Sequence, residues 1–220
     1  MKRTFGQPLA LLTLAGALMI LNATASAATF LFNTDPFEGS TALTTPGRQI
    51  VGAESFITFN VASDVFAFDP AVFGIGGSIN FANAAVGSLP TSGVNVIVLQ
   101  TLDNDANPAT PFGAGNAANL IADQLTTPRA GFFIYFNSGL ELPRLVYSTD
   151  LNDNTSDLKI LARMTNLFQQ PGALPTFTAA NFQIAPTSTV PDRSGSLIIV
   201  LAAGALAAIQ RRLRRRDERV

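Results

Sequence analysis

Two short acidic loops hold the side chains best spaced to do chemistry. Asp103-Asn104-Asp105-Ala106-Asn107 sets oxygen side chains at its first, third and fifth positions, and Asp150-Leu151-Asn152-Asp153-Asn154, followed by Asp157, does much the same. Loops gather hard oxygen ligands for Ca2+ in this way, so Asp103, Asp105, Asn107, Asp150, Asn152, Asp153 and Asp157 form the candidate metal set. Neither loop is an EF-hand. Pro108 and Thr155 stand where the sharp turn needs glycine, and Ala114 and Leu161 where the bidentate glutamate belongs. A structural Ca2+ site outside that motif is one reading. The other is that Asn and Asp simply form turns between strands, their side chains bonding the backbone two residues on. The second is expected here, and with it no cofactor.

The chain has no cysteine and no histidine. Disulfides, thiolate and imidazole metal sites, cysteine nucleophiles and any Ser-His-Asp triad supplied by this chain are thereby excluded. A Ser-Lys nucleophile would need Lys159, the one lysine remaining after loss of the N-terminal segment, and no serine is set beside it by sequence. Glycoside hydrolysis needs only two carboxylates about 5–9.5 Å apart, but nothing in the spacing nominates a pair. Flat platforms for sugars are scarce as well. There is no tryptophan, Tyr135 and Tyr147 are the only tyrosines, and most phenylalanines fall in strand patterns that predict core. Gly113-x-Gly115-x-x-Ala118 matches the relaxed dinucleotide fingerprint, yet a Pro-containing loop precedes it and no acid stands about 20 residues on. So few activating groups predict a protein that is not an enzyme.

The elements that must position these loops lie between residues 28 and 189. That segment carries twelve acids against five bases, a net of −7 that the whole chain's −1 conceals. A surface of that sign repels nucleic acid and anionic lipid. Short β-rich runs alternate with Gly, Pro, Asn and Asp clusters, which predicts a mainly β, antiparallel sandwich-like single domain over 28–184. The runs are Thr29–Phe32, Gln49–Val51, Ser55–Val61, Val65–Phe68, Ser78–Phe81, Val94–Thr101, Gly131–Phe136, Leu145–Ser148, Leu158–Thr165 and Phe182–Ile184. Val94–Leu99 and Phe132–Phe136 are apolar on nearly every residue and predict strands covered on both faces. In Leu158–Thr165, alternation puts Leu158, Ile160, Ala162 and Met164 on one face. One short helix is expected over Ala117–Leu125, with Asn116 as its N-cap. Phe32-Asn33, Phe59-Asn60 and Phe136-Asn137 each read as a core aromatic followed by a turn starter.

Both ends read as signals. Lys2 and Arg3, an apolar run from Leu9 to Leu21, and the small-x-small Ala25-Ser26-Ala27 make a secretory signal peptide over 1–27, cut after Ala27 by signal peptidase. Its apolar run would be about 20 Å long as a helix, short of the about 30 Å hydrocarbon core. Residues 185–189 read as a linker. Beyond it, Val190-Pro191-Asp192-Arg193-Ser194-Gly195-Ser196 leads into a short membrane helix over 197–209. Arg211, Arg212, Arg214, Arg215 and Arg216 follow as a membrane stop. Arginines stay in the cytoplasm, so the body of the protein lies across the inner membrane.

The order of motif, apolar helix and arginine cluster over 190–220 resembles the PEP-CTERM family of C-terminal sorting signals, in its Val-Pro-Asp-Ser-Gly variant. This sequence differs by the extra Arg193 and by Leu197, where a threonine often follows. The resemblance implies a substrate of exosortase, a membrane-embedded cysteine transpeptidase-like enzyme of Gram-negative bacteria that make exopolysaccharide. Val190, Pro191, Asp192, Ser194, Gly195 and Ser196 would be the sorting motif. The tail would hold the protein in the inner membrane until it is processed. The mature protein would then sit at the cell surface or in the extracellular matrix, with exopolysaccharide as a partner.

Overall fold

The computed structural model describes residues 26–105 and 107–185. The expected signal peptide up to Ala25, most of the linker, and the whole sorting signal from Val190 lie outside the described residues. Among the described residues no helix is long and apolar enough to cross a membrane.

The chain is mainly β. The strands are β1 (Thr29–Phe32), β2 (Ile50–Val51), β3 (Ser55–Ile57), β4 (Val65–Phe68), β5 (Phe81–Ala84), β6 (Val96–Leu99), β7 (Gly131–Asn137), β8 (Leu142–Ser148), β9 (Leu158–Met164) and β10 (Phe182–Ile184). Among the described residues, beside a single helical turn, α1 (Pro70–Phe73), the one longer helix is α2 (Ala114–Ala122). A three-stranded sheet has the order β1-β4-β10, and a larger sheet runs β2-β9-β8-β7-β6-β5, with β3 also on the free edge of β9.

Burial follows from composition. β6 is Val-Ile-Val-Leu and β7 is almost wholly aromatic or aliphatic, so neither has a face that water can cover. Val96, Val98, Phe132 and Ile134 face the small sheet and pack with Phe66, Phe68 and Phe182. Phe68 and Phe132, one from each sheet, stack with ring centroids 3.7 Å apart. On the other face Ile97, Leu99, Phe133 and Tyr135 lie under α2, which contributes Ala114, Ala117, Ala118 and Ile121. Tyr147 reaches from the core to the Phe73 carbonyl at 2.9 Å. Burial pushes its phenol up to about 12, helped by Asp35.

The strand directions correct the antiparallel expectation. Among the described residues only β7·β8 and β8·β9 are antiparallel; the pairs β1·β4, β4·β10, β2·β9, β3·β9, β5·β6 and β6·β7 are parallel. Connection length is the reason. Strands joined by a short turn must reverse, whereas β6 reaches β7 by crossing over through α2, which returns the chain to the same end of the sheet. The helix itself begins three residues earlier than expected. Gly113 is its N-cap, and Asn116, expected there, instead folds back to accept the Gly113 N–H at 3.0 Å.

A bulge alters β9. Leu145 pairs with Ala162 while the next residue, Val146, pairs with Ile160, so Leu161 is an extra residue. Leu158 and Ile160 therefore pack on the helix side, and Ala162 and Met164 on the side of the small sheet. The single face expected for these four residues is overturned. The same shift brings Arg163 opposite Arg144, which is itself opposite Tyr135.

Candidate functional site

The acidic loop at Asp103 closes on the turn between β7 and β8. Asp103 Oδ2 accepts the Ser138 hydroxyl at 2.5 Å and the Phe112 N–H at 3.2 Å. Ser138 Oγ also accepts the Phe112 N–H, at 2.7 Å. The Ser138 hydrogen bond is the main reason that the Asp103 carboxyl titrates below the ordinary aspartate range; partial burial works against it. Asn137 starts the turn as its sequence context predicts, its side-chain oxygen accepting the Leu140 N–H at 2.8 Å.

This junction opens into a cleft of about 630 Å³ lined by Asp103, Asn107, Ser138, Leu140, Glu141 and Phe168. Phe168 lies just past the 3-10 turn Thr165–Leu167 and is 50 % exposed, although it is one of the largest apolar side chains. Its neighbour is held by an unusual pair. Glu141 and Gln169 both have left-handed backbone, at φ 53° and 55°. The Gln169 N–H donates to the Glu141 carbonyl at 2.6 Å, and Gln169 Nε2 donates to Glu141 Oε2 at 2.8 Å. Left-handed backbone in residues other than glycine is costly and collects where surroundings over-determine it. Here it fixes the rim on which Phe168 stands. On the far side of that rim a second cleft, about 810 Å³, is lined by Asn60, Asn166, Gln169, Gln170 and Thr176 with no charged side chain.

Of the candidate metal ligands, Asp103 and Asn107 line the Phe168 cleft. Asp105 lines a neighbouring cavity of about 410 Å³ above the start of α2. Their oxygens hold the loop itself: Asp103 accepts the Asp105 N–H, Asp105 the Asn107 N–H and the Thr110 hydroxyl, and Asn107 the Ala109 N–H. The second loop behaves alike. Asp150 accepts the N–H groups of Arg129 and Asn152, Asp153 accepts the Thr155 N–H and hydroxyl, and Asn152 Nδ2 donates to the Leu125 carbonyl. Asp157 is buried and accepts the Leu43 N–H at 2.6 Å and the Gln49 N–H at 2.7 Å. Among the described residues no three acidic, histidine or cysteine side chains gather closely enough to hold a metal ion.

The Gly113-x-Gly115-x-x-Ala118 segment does open a helix, but a loop rather than a strand precedes it. Asp103 and Asp105 line the cavity above that helix start, so a phosphate there would face two carboxylates. Lys159 Nζ donates to the Gly52 carbonyl, so its ammonium serves the β2–β3 connection.

Glu141, Phe168, Gln169 and Ser138 are site residues that spacing alone did not nominate. A signal was present for Phe168, the phenylalanine in Phe168-Gln169-Gln170-Pro171, beyond the end of any strand pattern. No family model, no curated protein and no solved structure matches this chain.

Proposed function

We propose that this chain is an exported, non-catalytic envelope protein whose sandwich-like β domain holds exopolysaccharide in the Phe168 cleft. One observation carries the binding reading: an exposed aromatic face stands in a single cleft with Asp103, Asn107, Ser138 and Glu141. Sugars offer apolar C–H faces to a ring and hydroxyls to flanking acceptors and donors, so the cleft supplies both halves of their recognition. The net charge of −7 over residues 28–189 favours a neutral glycan over an anionic one.

Delivery rests on the two ends of the sequence. Signal peptidase would cut after Ala27, and an exosortase-type enzyme would act on Val190–Ser196, with the arginines from Arg211 to Arg216 fixing orientation until then. The test is the intact mass of the protein purified from fractionated host cells. A species lacking both ends, found at the surface or in the medium, is the expected result. A species retaining 197–220 in the inner membrane would overturn sorting and leave a tail-anchored protein.

A glycosidase is the second reading, because Asp103 and Glu141 line one cleft. It is disfavoured by the Ser138 hydroxyl, which helps to hold Asp103 ionised and so unsuited to act as the general acid. Hydrolysis of the host polysaccharide, abolished by both D103N and E141Q, would reinstate it. A Ca2+-dependent carbohydrate module is the third reading, and chelation separates it from the first.

A further inference from the structure

Asp64 is a buried carboxylate, 6 % exposed, at the start of β4. Its Oδ2 accepts the Asn60 N–H at 2.9 Å; its Oδ1 accepts the Ser63 hydroxyl at 3.1 Å and the Ala28 N–H at 2.9 Å. Asn181 donates to the Asp64 carbonyl, tying the turn before β10 to the same point. Among the described residues every hydrogen-bond partner of this carboxylate is neutral. Burial alone would raise its pKa, but the hydrogen bonds from Ala28, Asn60 and Ser63 hold it lowered, so it stays charged.

The Ala28 nitrogen is also the atom that becomes the α-amine when a signal peptide is cut after Ala27. The Ala28 carbonyl is fixed as well, accepting the Val65 N–H at 2.9 Å, so β1 holds this nitrogen against Asp64 from the outset of the sheet. Ser26 and Ala27 are exposed, so their departure uncovers no core.

We propose that Asp64 is a built receptor for the mature N-terminus, and that signal removal turns its Ala28 hydrogen bond into an ammonium–carboxylate pair. Water supplies hydroxyl to the Ala27 carbonyl and a proton to the Ala28 nitrogen as the peptide bond breaks; the amine then takes a second proton from solvent. The inference rests on the secretion reading above for the position of the cut. It adds that processing stabilises the domain it releases. The acceptor is already ionised, and the cut makes the donor a full positive charge as well, which shortens and strengthens the bond. A paired α-amine has a raised pKa, so the added stability is complete below its ordinary value of about 7.7–8.0 and disappears as pH rises through the raised value.

The test compares two full-length proteins secreted by the host: the native chain and one with Gly-Ser inserted between Ala27 and Ala28. Processing of the second leaves the Ala28 nitrogen as an amide. Mass spectrometry first establishes each N-terminus. The native protein is expected to melt about 2–4 °C higher at pH 7, with the difference gone by pH 10 and absent in a D64N background. Because D64N removes a buried hub, a second measurement stands beside it: labelling by an amine reagent against pH, with Lys159 the only other amine in the mature chain. An α-amine pKa above its ordinary value of about 7.7–8.0 is expected. Equal melting temperatures together with an ordinary α-amine pKa, in a protein shown to begin at Ala28, would overturn the receptor and leave secretion standing. A mature protein that begins elsewhere would overturn both.

Discussion

Glu54 and Arg144, 90 residues apart in sequence, meet at 2.5 Å between Oε1 and Nη2 on the helix-side face of the large sheet. The same oxygen accepts from Arg163 Nε. Tyr135, Arg144 and Arg163 stand side by side across β7, β8 and β9, and Phe56 on β3 continues the row, its ring 5.1 Å from the Arg163 guanidinium carbon. One carboxylate therefore serves two cations, and the buried Arg144 Nε has no partner among the described residues.

Removing that carboxylate's charge leaves the buried Arg144 and the half-buried Arg163 without their ion pair. E54Q is expected to lose about 3–5 kcal/mol of unfolding free energy in a denaturant titration. Burial would raise the Glu54 pKa, but its own backbone N–H, Arg163 and Arg144 together hold it below the ordinary glutamate range. A depressed acid stabilises the fold above its unfolded pKa of about 4.3 and ceases to do so as pH falls through the folded value. The native protein should thus lose stability below about pH 4 more steeply than E54Q; parallel acid curves would refute this role.

Gly131 begins β7 where two strands nearly touch. A Cβ there would come 2.6 Å from Leu151 Cδ1 and closer still to the Asn95 carbonyl oxygen, which is fixed by the Phe132 N–H at 2.8 Å. G131A is expected to cost about 1–3 kcal/mol, toward the upper end because backbone rather than a rotatable side chain must give way. An unchanged denaturation midpoint would show that the strands can separate there.

Asp157 clamps the long segment before β2 to the start of β9. D157A leaves the N–H groups of Leu43 and Gln49 without their acceptor, at an expected cost of about 1.5–3 kcal/mol. Chelation bears on the same loops. Since their carboxylates already serve backbone N–H groups, the melting temperature is expected to be the same with and without EDTA; a fall would assign a bound cation to them.

Phe168 is tested by removal, because its ring supports no core. F168A should weaken retention in gels containing host polysaccharide by about two- to tenfold at an unchanged melting temperature. Unaltered mobility would remove Phe168 from the binding site.

Much of the strand pattern was legible. Thr29–Phe32, Val65–Phe68 and Phe182–Ile184 form with the bounds that their composition predicts, and β6 and β7 are covered on both faces as their apolar runs require. Side-chain periodicity sees which residues are buried but not which way a neighbouring strand runs, so the parallel pairs went unread. The β6–α2–β7 order held a clue, since a helix between two strands is the usual route to a parallel pair. The strand expected over Ser78–Phe81 begins only at Phe81, where pairing with β6 starts, because the Asn95 side chain accepts the Asn80 N–H before it. The Leu161 bulge was invisible because Leu161 is as apolar as its neighbours. In the site, Asp103 and Asn107 were legible as a clustered oxygen set, whereas Glu141 and Gln169 meet only through the fold.

β4 carries the first and last strands of the domain on its two sides, both parallel to it. Ala28 adjoins Val65 at one end of β4, and Ala185 donates to Phe68 at the other. A pull applied between the two ends of the domain would therefore load β1·β4 and β4·β10 along their length, so that the hydrogen bonds resist together instead of opening one at a time. A domain held by its C-terminal side and tugged at the other should yield at higher force than one unzipped from a hairpin. Single-molecule extension would read this as one high-force event, and gradual low-force opening would contradict it.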